Sequence, residues 1–230
     1  MSSPAPDRSV TELPAEIDRP EPRWPAMVAA FAAVALHFAL PPTLRVNPPW
    51  MVAGVVSALI IAAAVARRRG QHRLNSVLAY LVLVVLTAGL LFGVTQLIIA
   101  LVHHGAAAID LLRSAGVLWA TNVIVFASWY WRLDGGGPNE RERLDAHVSG
   151  AFLFPQMTFI PRGDTRTIAE AEGWRPHFVD YLFVAFNTST AFSPTDAPVL
   201  TIWAKLAMMV QAIISFTTVV LIAARAVNVL

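Results

Sequence analysis

The feature that most constrains this chain is a series of apolar runs long enough to cross a lipid bilayer. An α-helix rises ~1.5 Å per residue, so a ~30 Å hydrocarbon layer takes about 20 apolar residues. Residues 24–40 form the first run and stop at Pro41 and Pro42. Residues 50–66 form the second and stop at Arg67, Arg68 and Arg69. Residues 76–102 are long enough to span with tilt. Residues 106–131 end in Trp129, Tyr130 and Trp131, and residues 201–227 make a last run. Trp24, Trp50 and the 129–131 triplet sit where an interfacial aromatic belt is expected. Charged residues make up 14% of the chain, against about 25% in an average soluble domain. The expected fold is all-α: a polytopic transmembrane helical bundle of about five spans plus a short C-terminal re-entrant, pore-like helix.

Several functions are disfavoured at once. The net charge is +2 and no basic patch is interleaved with aromatics, so no nucleic-acid partner is expected. The chain has no Cys, which removes disulfides, Cys-ligated zinc and thiol chemistry. His37, His103 and His104 lack further ligands at compatible spacing, so no metal and no cofactor are expected. No HExxH, GxSxG or paired-carboxylate arrangement lies in the spans, and the chain does not read as an enzyme.

The organisation follows from the same runs. Residues 1–23 are polar and proline-rich and read as a disordered tail, not a signal peptide. Residues 24–131 are a four-span region. Residues 132–177 are a long hydrophilic loop that opens on Gly135, Gly136, Gly137 and Pro138 and holds a semi-apolar patch at 151–160. Residues 178–230 carry the most informative pattern. An apolar stretch at 178–186 is too short to span; a hydroxyl-rich turn broken by Pro194 follows, and then a full span. Non-helical backbone survives at membrane depth only when it is buried in protein or lines water, so the pattern points to a pore or a substrate cavity. The candidate constriction is Asn187, Thr188, Ser189, Thr190, Ala191, Phe192 and Ser193, with Asp196 as a mouth charge or a helix cap.

Residues 181–196 resemble the pore helix and filter of tetrameric cation channels: an aromatic-rich short helix, a Thr-rich turn, Phe192 near the filter aromatic and Asp196 near the acid that follows. Residues 208–220 then resemble an inner helix. The C-terminal half also resembles an uncharacterised bacterial family of multi-span inner-membrane proteins. That likeness rests on Ala191, Phe192, Asp196, the run Ser215, Phe216, Thr217, Thr218 and Val219, and Val227 with Asn228. It implies an architecture and no activity. The departure from potassium channels is chemical. Their filters need glycines to expose a row of carbonyls, and this chain has no Gly after Gly173. What remains is a wider polar constriction, or a closed hairpin whose hydroxyls satisfy its own backbone.

Secondary polar sites have competing roles. Asp110 and Arg113 lie three apart and suit an interfacial pair. Asp180 suits the positive end of the short helix. Lys205 either snorkels to the interface or pairs with Asp196. Gln211 suits a hydrogen bond between helices. Arg67, Arg68, Arg69 and Arg73 form the densest basic turn, which the positive-inside rule places in the cytoplasm. The short helix would then enter from the cytoplasmic face, opposite to potassium channels. The expectation is a multi-pass plasma-membrane protein whose partners are the lipid bilayer, further copies of itself and inorganic ions. Its expected role is an oligomeric channel-like pore without a potassium-selective filter; the alternative is a transporter or non-conducting scaffold.

Overall fold

A computed structural model describes residues 21–102, 108–143, 150–160, 166–167, 174–191 and 197–227. Helices α1 (Trp24–Ala39), α2 (Pro49–Arg68), α3 (His72–Val102) and α4 (Ala108–Leu133) run up and down with short connections. A glycine turn and the short α5 (Pro138–Arg143) follow, then α6 (Phe178–Thr190) and α7 (Ile202–Val227). The described residues carry no strand, only one antiparallel bridge between Phe152 and Val199. Among the described residues, four helices (α2, α3, α4 and α7) are long and apolar enough to cross a membrane. The 16-residue α1 is shorter than that and completes the bundle as a fifth apolar helix. The outer surfaces of α2, α3 and α7 carry large apolar side chains such as Ile61, Val84 and Ile213, as lipid-facing surfaces must.

Helix α4 is the axis of the bundle, packed by α1, α3, α6 and α7. Close approach is helped by Gly93 on α3. A methyl group there would sit 2.7 Å from Leu118 of α4 and 3.2 Å from the Leu44 carbonyl. Connection directions place the α2–α3 turn, the start of α1 and the end of α4 at one end of the bundle. Asn139 donates to Ser76 at 3.1 Å, and Arg132 lies over the Tyr80 ring at 5.4 Å. This end carries Arg67, Arg68, Arg69 and Arg73, and is called the basic end below.

Two sequence expectations change here. The tail does not reach residue 23. Glu21 is part of the folded protein, since its carboxylate accepts from Trp131 Nε1 and from Arg141. Nor do Tyr130 and Trp131 form a lipid-facing belt, because both are buried. Each aromatic of the triplet uses its polar atom inside the protein. Trp129 Nε1 donates to Thr87 Oγ1 at 2.9 Å, Tyr130 to Gln211 and Trp131 to Glu21. Trp24 and Trp50 do remain exposed at helix ends.

Candidate functional site: a half-depth helix on a buried polar hub

Helix α6 starts at the basic end and stops beside the middle of α4. Its 13 residues cover about 20 Å, short of the ~30 Å layer. At its start, the Tyr181 hydroxyl donates to the Asp134 carboxylate at 2.6 Å. At its end, the Ser189 carbonyl accepts from Trp119 Nε1 at 3.4 Å, and the Trp119 and Phe186 rings meet edge to face at 5.9 Å. Trp119 lies near the middle of α4. The chain then returns. Leu153 N donates to the Pro198 carbonyl, and Leu200 N to that of Ala151. Phe152, in that bridge, touches both Tyr181 and Trp203. So α6 and α7 both begin at the basic end, and the descent and return form a re-entrant hairpin entering from the side of the Arg67–Arg69 turn.

The helix is longer than its apolar stretch. Asn187, Thr188, Ser189 and Thr190 form its last turn and not a loop. Thr188 Oγ1 donates to the Val184 carbonyl at 2.8 Å and Thr190 Oγ1 to that of Phe186 at 2.9 Å. Thr188 and Ser189 are buried against the same chain. Thr190 and Ala191 are exposed and Asn187 is half-buried. Phe192, Ser193 and Asp196 lie outside the described residues.

Beneath the half-helix lies a polar hub in the apolar interior. Gln211 of α7 is fully buried. Its Nε2 donates to the Ala185 carbonyl at 2.7 Å and to Ser189 Oγ at 2.8 Å, while its Oε1 accepts from Tyr130 at 2.5 Å. Asn122 of α4 donates to the Gln211 carbonyl at 3.1 Å and to Ser215 Oγ at 2.7 Å. One amide thus joins α4, α6 and α7. Unsatisfied polar atoms cost heavily where water is absent, so each of these bonds also fixes helix register.

A second cluster clamps the basic end. Asp134 is fully buried in the turn after α4. Its carboxylate accepts from Tyr181 and from the Ala151 backbone N–H. Arg141 Nη1 donates to the carbonyls of Trp131 at 3.0 Å and Asp134 at 2.5 Å, and the other side of its guanidinium forms an ion pair with Glu21 at 2.9 Å. Burial opposes the Arg141 charge, but Tyr181, Glu21 and Asp134 outweigh it and raise its pKa. Gly135, Gly136 and Gly137 all have positive φ. A methyl group on Gly137 would sit 2.6 Å from the Arg132 carbonyl, so the turn is closed to other residues. Phe152 and Phe154 fill the cleft above, within ring contact of Tyr130, Tyr181, Trp174 and Trp203.

The remaining sequence candidates separate. Asp180 caps α6, its carboxylate accepting from the His177 backbone N–H at 2.6 Å. Asp110 and Arg113 are exposed on α4, and no ion pair joins them. Lys205 is exposed in the first turn of α7. Tyr130, Asn122, Ser215, Asp134 and Arg141 were not among the candidates. The available signal is the pair of polar side chains on α4, Asn122 and Tyr130, with Asp134 just past its end, which a lipid-facing helix would not carry.

The apolar helices, their length and their outward surfaces decide the class. The chain is an integral membrane protein. No family model, curated protein or solved structure matches it.

Proposed function

We propose that this membrane protein is an oligomeric, channel-like conduit for inorganic ions in the plasma membrane, its basic end in the cytoplasm. The observation that carries the reading is the half-depth helix. A helix C-terminus holds a partial negative charge, and that of α6 lies beside Trp119, near the middle of α4. A cation that has shed part of its water is stabilised there. The outward face of α6 is Val179, Phe183, Phe186 and Thr190, all exposed in the single chain. A neighbouring copy packed on it would shield the helix end from lipid and bring several such ends round one axis. Among the described residues, Thr190 is the hydroxyl available for the constriction, since Thr188 and Ser189 are turned inward.

The test is current across a planar bilayer holding the purified protein. Cation current that falls when Thr190 is replaced by Trp supports the conduit. Silence in every cation and anion gradient overturns it. One observation favours a second reading, a non-conducting scaffold. Ser189 and Thr188 are used within the subunit, as in a hairpin built to be closed. A protein that forms oligomers but stays electrically silent would support that reading.

A further inference from the structure

A cavity of about 550 Å³ opens among α1, α2, α3 and α4 at the basic end. That volume is within the ~300–1,000 Å³ of ordinary ligand pockets. Its wall is mostly Ala, Val, Leu, Ile and Met side chains. Its rim holds Arg23, Arg67, Arg68 and Arg132, and none of the described residues lining it is acidic. Two buried polar side chains are incompletely used. Arg132 is 4% exposed and its Nη2 has no hydrogen-bond partner. Asn75 is 7% exposed; its amide nitrogen donates to the Ala63 carbonyl, while its Oδ1 has no partner. A guanidinium left with a spare donor beside an apolar shaft is costly unless an anion completes it.

We propose that this cavity holds one anionic phospholipid, its phosphate on Arg132 and the rim arginines and part of an acyl chain along the apolar wall. Planar guanidinium groups match phosphate oxygens in two-point contacts. The Asn75 Oδ1 is an acceptor and repels phosphate, so it selects a headgroup that also offers a hydroxyl, as a phosphoglycerol does. Ordinary attraction of a basic loop to an anionic membrane is diffuse and ignores which arginine is removed. A built site distinguishes them.

The experiment uses the full chain in neutral detergent, and reads lipid retained by native mass spectrometry and the unfolding midpoint. Palmitoyl-oleoyl phosphatidylglycerol is compared with phosphatidylcholine of the same chains and with glycerol phosphate. The expected result is one retained phosphatidylglycerol per chain and a raised midpoint, with neither effect from the other two. Arg68→Gln is expected to weaken retention about fivefold, while Arg69→Gln, outside the cavity, leaves it unchanged. Arg132→Gln is expected to weaken it further; Ala79→Phe, which fills the shaft, is expected to abolish it with every arginine in place. Equal retention of both lipids, or equal losses in Arg68→Gln and Arg69→Gln, overturns the site. Protection by glycerol phosphate alone, undiminished in Ala79→Phe, shows a free phosphate ester and overturns the lipid assignment.

Discussion

Tyr181, the fourth residue of the half-depth helix, donates a hydrogen bond from its hydroxyl to the buried carboxylate of Asp134, one residue past the end of the central helix. This bond anchors the top of α6 to α4, and Arg141 holds the same turn from the other side through the Asp134 carbonyl. Tyr181→Phe is therefore expected to destabilise the protein by about 1–3 kcal/mol, the cost of leaving a buried acceptor short of a donor. Asp134→Asn should cost at least as much, since it also alters the contact with the Ala151 N–H. The midpoint of unfolding in mixed micelles measures both.

The hub at Gln211 should show coupling and not simple additivity. In a Tyr130→Phe and Gln211→Leu double-mutant cycle we expect about 0.6 kcal/mol of coupling, with roughly 1.7 as a ceiling, as for other interhelical bonds in membranes. Coupling near zero would mean that the 2.5 Å contact contributes nothing net to the bundle.

Because the chain has no native Cys, single cysteines report topology without background. Cysteines at Arg69, Phe159 and Lys205 should react with a membrane-impermeant maleimide from one face of sealed vesicles. Cysteines at Thr43 and Ala223 should react from the other. A cysteine at Lys205 that reacts together with that at Thr43 would remove the re-entrant hairpin.

The glycine turn should be intolerant. Gly137→Ala forces a methyl group against the Arg132 carbonyl at positive φ, and is expected to cost more than about 1 kcal/mol. A drop in melting temperature should come with faster proteolysis after Arg141, because the turn no longer presents that guanidinium to its carbonyls.

The spans were legible because length and apolarity are physical requirements for crossing lipid, and residues 50–66, 76–102 and 106–131 meet them nearly unaided. The end of α6 was not. Asn, Thr and Ser are poor helix formers in water, where their side chains compete for backbone. In a dry interior the same hydroxyls bond back to the preceding turn, as Thr188 does to Val184, and the helix continues. Gln211 was legible as a lone amide in a span, but its partners were not, since a Tyr beside two Trp looks like an interfacial belt until the α7 helix is placed against it. The hydrophilic loop misled for a related reason. Phe152 and Phe154 are too few to signal a core by themselves, and their burial depends on Tyr130, Tyr181 and Trp203 arriving from three different helices.

The small bridge between Phe152 and Val199 gives the polar segment a mechanical grip. Two backbone hydrogen bonds fasten that segment to the rising leg of the hairpin, just before α7 begins. Force applied to the segment from the water side reaches the hairpin directly through these two bonds. A protein or ligand that docked there would pull on the hairpin as a hand pulls on a latch.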